Sequence, residues 1–330
     1  MSLDARRIRN VGASEVAALF SLDWSDDEEA PRETRLQLWT RKKLGRQREE
    51  LPRTPEANDR LLWGQVLEEG ISRGIHLVTG WGIRPGYFIE HPRGIRMSAT
   101  LDFVAETASV LFPGRQTEAA LELKNVDRSV YRKWPEHEEP GVWELIRGEW
   151  EPCRRQPPLR MKLQPQAQMA CSGLGAAVLG VLVGGNELHL VAFERHEGVI
   201  ARLEAEVAAF WQSVDEDRPP PADYQLDLPA ILALIGDAVP GKVVDLRDSV
   251  EVLDLAERYD AARTAEAAAK KVKDEVKGRL FEIAGNAERA LMPDPFNLSM
   301  KSIPGGWTPG FERPPHRDFR LTRRKEKRSR

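Results

Sequence analysis

Residues 96–126 read RMSATLDFVAETASVLFPGRQTEAALELKNV. Two parts of this stretch, Arg96–Glu106 and Ala119–Val126, have the short, apolar-rich alternation of β-strands. On the second, Glu122 and Lys124 stand at i and i+2, so both leave the same face of a sheet, while Leu121 and Leu123 take the other. Asp102 lies twenty residues before Glu122, between Leu101 and Phe103. A carboxylate so flanked needs a partner if it is buried. An acid and a lysine side by side suit metal-assisted phosphodiester hydrolysis: the carboxylate holds a hard cation, and the ammonium positions a water or offsets phosphate charge. Alone, Glu-x-Lys is weak, since an exposed ion pair would look the same.

Upstream, Ile83–Glu90 reads as a further strand. Asp59–Arg73 (DRLLWGQVLEEGISR) places Leu62, Val66 and Leu67 at helical spacing, with Glu68 beside them. Nearer the N-terminus, a helix is predicted over Ala13–Phe20 with Ser14 as N-cap, then an acidic loop at Asp23–Pro31 and a helix around Arg32–Lys43. Downstream, a Trp- and Pro-bearing insertion, Arg128–Pro158, precedes a helix from about Pro165 to Ser172. Two apolar strands, Ala176–Val183 and Glu187–Glu194, are joined by Gly184-Gly185-Asn186, a hairpin signal. An amphipathic helix, Ile200–Ser213, leads to Pro219-Pro220-Pro221. The expected organisation is an α/β domain at 1–222, a linker at 223–248, a long helical, coiled-coil-like arm at 249–291, and a loop with a basic tail at 292–330. In the arm Val252, Leu255, Tyr259 and Ala262, then Ala269, Val272, Val276, Leu280 and Ile283, recur at three- and four-residue steps, a narrow stripe suited to packing on another helix.

Composition narrows the classes. Two cysteines, Cys153 and Cys171, exclude a disulfide framework, an iron–sulfur cluster and a four-cysteine zinc site. The six histidines form no zinc pattern, and neither phosphate-loop nor dinucleotide-binding glycine motif is present. The longest apolar run, Gly173–Gly185, is short of the roughly 20 residues a membrane helix needs. The charged N-terminus is unlike a signal peptide, so a cytoplasmic protein with no membrane contact is expected. The net charge is −3, yet residues 311–330 hold nine Lys or Arg against three acids, so the rest carries −9. A basic tail on an acidic body suits contact with a polyanion.

The order helix Glu, strand Asp, then Glu-x-Lys on the next strand is that of the PD-(D/E)XK nucleases. From its N-terminus to about residue 215 the chain resembles the YqaJ-type viral recombinase family, phage proteins related to lambda exonuclease. The motifs match in order: NVGASEVAALF, WGQVLE, GYFIEHPRGIRMSATLDFVAE, LELKN and LQPQAQMACSG. The resemblance implies a central mixed sheet flanked by helices. It makes Asp102, Glu122 and the backbone carbonyl of Leu123 metal ligands, with Glu68 contributing to the same or a second ion. Lys124 would orient the attacking water. Gln166 would be the active-site glutamine, with Gln164 beside it as a phosphate contact; Pro165 interrupts the pair, leaving Gln164 and Gln168 as alternatives. Ser14 and Arg9 would be DNA phosphate contacts, as suits a helix N-terminus.

The activity implied is a Mg²⁺-dependent exonuclease, with Mn²⁺ able to substitute. It would resect one strand of linear duplex DNA 5′→3′ for homologous recombination with a single-strand annealing partner, as a homo-oligomer. A site- or structure-specific endonuclease of the same superfamily, or a non-catalytic DNA-binding or assembly protein, are the other readings. Cleavage of closed circular DNA separates the first of these from an exonuclease.

Overall fold

A computed structural model of the protein describes residues 3–23, 33–46, 55–106, 118–293, 296 and 298–301. The basic tail and residues 24–31 of the acidic loop lie outside the described residues. The chain divides into two units, Met1–Ile235 and Gly236–Arg330.

The first unit runs α1 (Leu3–Arg9), β1 (Val11–Gly12), a 3-10 helix (Val16–Asp23), α2 (Arg35–Lys43), α3 (Pro55–Thr79), β2 (Gly82–Pro85), β3 (Phe88–Glu90), β4 (Met97–Thr100), β5 (Phe103–Glu106), β6 (Glu118–Val126), α4 (Arg128–Tyr131), β7 (Val142–Ile146), β8 (Glu149–Pro152), α5 (Leu159–Ser172), β9 (Ala176–Val183), β10 (Glu187–Glu194), α6 (Glu197–Asp215) and α7 (Leu228–Ile235). Among the described residues, seven strands form the main sheet in the order β2-β5-β6-β9-β10-β7-β8. Within it β6 and β9 run parallel, and the other neighbouring pairs are antiparallel. A small sheet, β1-β4-β3, stands beside it. The fold is α/β, a central mixed sheet flanked by helices.

Alternation along β6 divides the core. Leu121 and Leu123 face a cluster with Ile71 and Ile75 of α3 and with Val178 and Leu190. Ala120 and Val126 face the larger cluster, which includes Met161 and Met169 of α5 and Leu203 and Phe210 of α6. Trp134 is buried in this larger core, and Trp143 and Trp150 pack against the smaller one, so these insertion tryptophans serve packing. Trp150 stacks on Trp81 with ring centroids 6.2 Å apart.

Each of two stretches read as one strand is broken in two. Ile83–Glu90 becomes β2 and β3, and Arg96–Glu106 becomes β4 and β5. The breaks, Gly86-Tyr87 and Leu101-Asp102, face each other. Gly86 N–H donates to the Asp102 carbonyl (3.0 Å) and Leu101 N–H to the Tyr87 carbonyl (3.1 Å). The hairpin thus stays paired while its two halves join different sheets. Glycine is required at 86 because a Cβ there would lie 1.9 Å from the Leu101 carbonyl oxygen.

Other expectations shift. Ser14 caps no α-helix: a turn leads into the 3-10 helix, and Glu15 Oε2 accepts the Gly12 N–H at 2.8 Å. The glutamine helix begins at Leu159, so Pro165 falls inside it, carried by the burial of Met161, Leu163, Ala167 and Met169. The expected linker contains α7, tied to α2 where Gln37 Nε2 donates to the Leu226 carbonyl (2.8 Å) and Thr34 donates to buried Asp227. In the second unit α8 spans Val250–Ala284, and Ser249 is its N-cap, the hydroxyl accepting the Val252 N–H. The helix stops at Gly285, whose φ of 59° ends it before the expected end at 291. A two-stranded ribbon, β11 (Arg289–Ala290) with β12 (Leu298–Ser299), follows.

Gly86→Ala is expected to lower stability by about 2 kcal/mol or more, because backbone must move to admit the methyl. Thermal denaturation checks this, and an unchanged melting temperature would show that the hairpin break tolerates a side chain.

Candidate active site

Strand β6 runs on past its neighbour β5. The last pair between them is Phe103 with Leu121, whereas β6 continues against β9 as far as Val126. Its next edge N–H, that of Leu123, donates to Asp102 Oδ2 at 2.9 Å. A residue's N–H and C=O point to the same side of a strand. The Leu123 carbonyl therefore faces the same edge as the Asp102 carboxylate. The break at Leu101-Asp102 swings the aspartate off the ladder and over β6.

Glu122 and Lys124 project toward α5. Glu122 is 2% exposed and accepts from Lys124 Nζ through Oε1 and from Gln168 Nε2 through Oε2, the latter at 2.6 Å. Gln168 is fully buried, and its amide also reaches the Thr100 carbonyl at 3.5 Å, bridging β4 to β6. Its Oε1 is buried with no hydrogen-bond partner among the described residues. Glu68, half-buried on α3, lies within the field of Glu122 and Lys124.

Carboxylates are crowded here. Burial raises the Glu68 carboxyl above its usual range, with Glu122 adding to the effect and Lys124 opposing it. Burial likewise pushes Asp102 from 3.8 up to about 7, Glu122 and Glu68 adding to the rise, Lys124 and the Leu123 N–H opposing it. Three acids against one ammonium is an arrangement a divalent cation relieves, and oxygen donors are what Mg²⁺ and Mn²⁺ take. The orphaned Gln168 Oε1 is a further acceptor for a polar group entering the site. Among the described residues, no three His, Cys, Asp or Glu side chains are gathered as a ready-made ligand shell. Glu122 is turned onto Lys124 and Gln168, and Asp102 onto the backbone. The residues fit a hard cation in chemistry, with Asp102, Glu122 and the Leu123 carbonyl as its holders and Glu68 beside them.

The glutamine assignment changes. Gln166 commits both ends of its amide to backbone: Nε2 donates to the Glu194 carbonyl (2.7 Å) and Oε1 accepts the His196 N–H (3.0 Å). It braces the turn from β10 into α6, and Gln168 is the glutamine at the carboxylates. Helical geometry brings only one of the two round to β6. Gln164 is half-buried, one turn before Gln168 on α5.

Ser14 is exposed in the turn before the 3-10 helix. Arg9 is exposed and lines a hollow of about 430 Å³ with Asn10, Glu90, His91 and Arg96, at the far end of β4 from Asp102. Sequence reasoning misses Arg7, whose Nη2 donates to Thr100 Oγ1 at 3.3 Å, two residues from Asp102. It also misses what fixes Arg7. Lys42 Nζ, inside the protein, donates to the carbonyls of Arg7 (3.0 Å) and Asn10 (2.6 Å) and pairs with Glu15 (2.7 Å). Arg41 joins Glu15 (2.8 Å) to Glu33 (2.7 Å). Burial pushes the Glu15 carboxyl up, but Lys42 and Arg41 together bring it below its usual range. The basic run Arg41-Lys42-Lys43 carries no sequence mark of this pairing; only burial reveals it.

A family model described as the YqaJ-like viral recombinase domain matches residues 3–175, more than half of the chain. Among solved structures, an alkaline exonuclease from Laribacter hongkongensis is 18% identical, the alignment covering 69% of this chain and 97% of that one with a TM-score of 0.42. The same exonuclease in complex with dAMP gives 17%, 69%, 96% and 0.43. The Shutoff and Exonuclease Protein of Kaposi's sarcoma-associated herpesvirus gives 12%, 67%, 75% and 0.27. Among curated proteins no match is found.

Asp102 keeps its proton to about pH 7 when folded but only to about 3.8 when unfolded. Between those values the folded chain binds more protons, so stability falls as pH rises. In EDTA the melting temperature is expected to drop from pH 5 to pH 8, and Asp102→Asn should flatten that drop. An identical slope in the variant would remove Asp102 as its source.

Proposed function

The chain belongs to the YqaJ-like viral recombinase family, and from that premise we propose a Mg²⁺-dependent deoxyribonuclease that resects one strand of linear duplex DNA 5′→3′. The observation that carries the reading is the meeting of Asp102, Glu122 and Lys124 at the overrun edge of β6, with Gln168 bound to Glu122. Glutamate on a helix, aspartate at a strand break and Glu-x-Lys on the next strand is the PD-(D/E)XK arrangement.

In this mechanism Asp102, Glu122 and the Leu123 carbonyl would hold the cation, with Glu68 contributing. When bound, the cation supplies Lewis-acid polarisation of the scissile phosphate and a lower pKa for the attacking water. Lys124 Nζ, which here bonds Glu122, would donate a hydrogen bond that orients the attacking water toward phosphorus. Gln168 fixes the Glu122 carboxylate through its amide N–H and offers its Oε1 as an acceptor to a proton of the attacking water. Arg7, Ser14 and Arg9 anchor phosphates of the DNA end, with Gln164 as a further contact. Outside the described residues, the basic tail adds a salt-dependent hold on the duplex. Supply of a 3′ single strand to an annealing protein, and assembly as a homo-oligomer, complete the reading as the resemblance implies them. Among the described residues no helix is long and apolar enough to cross a membrane.

The test is digestion of linear and covalently closed duplex DNA with Mg²⁺, with Mn²⁺ and with EDTA, beside Asp102→Ala. Metal-dependent loss of the linear form alone, abolished by the substitution, is the expected result. Cutting of the closed circle would make the enzyme an endonuclease, and binding without cutting would make it a scaffold. Lys124→Ala and Gln168→Ala should each lower the cleavage rate by about 10²-fold or more, the range for loss of one positioned catalytic group. Gln166→Ala should lower the melting temperature and leave the cleavage rate of the folded fraction within a fewfold. Equal rate losses at 166 and 168 would undo the reassignment.

A further inference from the structure

No residue of α8 is buried, although its sequence carries an apolar seam interrupted only at Glu266 and Lys273. Thirty-five residues at 1.5 Å each make it about 52 Å long. In a seven-residue repeat, one row of the seam is Val252, Tyr259, Glu266, Lys273 and Leu280, and the other is Leu255, Ala262, Ala269, Val276 and Ile283. Leu255, Tyr259, Val276 and Ile283 are all exposed. The positions bordering such a seam decide what it pairs with. Here they are Arg258, Ala265, Val272 and Arg279 on one side and Ala256, Arg263, Lys270 and Lys277 on the other. Apart from Glu251 in the first turn, every charge along that border is positive. The acids Asp254, Glu257, Asp260, Asp274, Glu275 and Glu282 lie on the back of the helix. Arg258 also reaches back to Asp254, a contact of exposed side chains that contributes little, and Arg263 to half-buried Asp260.

That border excludes a second copy of α8 as a good fit. In a parallel pair in register, Lys273 would meet Lys273, Glu266 would meet Glu266, and Arg258 would flank Arg263. In an antiparallel pair aligned over the whole seam, with Val252 opposite Ile283, Arg263 would flank Lys270 and Arg258 would flank Arg279. Either way cations face cations. We infer that α8 is the docking helix for another protein, one that presents an amphipathic helix whose apolar seam is bordered by Asp and Glu. Ala262 and Ala269 leave room at mid-seam for large apolar side chains of that partner. Lys273 and Glu266, buried by docking, would each need an opposite charge across the seam and so set the register. The inference is independent of the nuclease reading, since docking requires no catalysis.

The test uses the full-length protein and two synthetic four-heptad peptides with leucine seams, one bordered throughout by Glu and the other by Lys, followed by fluorescence anisotropy. The Glu-bordered peptide is expected to bind at least tenfold more tightly and to weaken as salt rises. Lys270→Glu/Lys277→Glu/Arg279→Glu should reverse the preference, which shows that the variant is folded and that the border discriminates. Val276→Asp should abolish binding of both peptides, with helix content confirmed by circular dichroism. Equal binding of the two peptides, or binding of neither, would overturn the proposal. So would concentration-dependent self-association that Val276→Asp abolishes, since the seam would then belong to a second copy. Displacement of the Glu-bordered peptide by short duplex DNA from the wild type, but not from a Val272→Glu variant with the border otherwise intact, would assign the surface to nucleic acid instead.

Discussion

The hydrogen bond from Leu123 N–H to the Asp102 carboxylate stands where a sheet ladder ends and a site begins. Strand β5 stops two register positions short of it, so a side chain takes over the acceptor that a continued strand would have provided at residue 101. One contact thereby satisfies a backbone donor that burial would otherwise penalise, and sets an acid above the edge of β6. It depends on the break in the β2–β5 hairpin, and that break depends on Gly86 having no side chain. The position of the acid is thus a consequence of how two sheets share one hairpin.

Electrostatics around that contact are unbalanced in the folded chain. Glu122 is buried with Lys124 and the Gln168 amide as its partners, yet its charge still raises the proton affinity of both Asp102 and Glu68. A structural ion-pair network would balance its charges, as the Glu15, Glu33, Arg41 and Lys42 cluster does with two acids and two bases. The contrast between the two clusters is the physical reason the first, and not the second, is the candidate for the chemistry.

Much of this was legible in the residues. Alternation alone put Glu122 and Lys124 on one face of β6 and the leucines on the other, and a polar residue between Leu101 and Phe103 marked Asp102. The strand breaks were not legible, because a bend between sheets leaves the apolar pattern of a continuous strand almost intact. Gly86 was their only local trace. The choice between Gln166 and Gln168 was equally out of reach: both are buried on α5, and only the direction in which the helix axis crosses β6 separates them. The buried role of Lys42 was hidden for a different reason. In RKK the three side chains look alike, and tertiary burial alone distinguishes Arg41 and Lys42, which point inward, from Lys43.

Lys42 also ties helix α1 to α2. Its ammonium is inside the protein and takes its acceptors from main-chain carbonyls at Arg7 and Asn10. Opening of helix α1 would take the Arg7 and Asn10 carbonyls away from a buried ammonium and leave it Glu15 alone of these partners. The N-terminal segment and α2 belong to one cooperative unit, opening and closing together. A protease or a tag that disturbs the first turn of the chain would be felt at α2, far along the sequence.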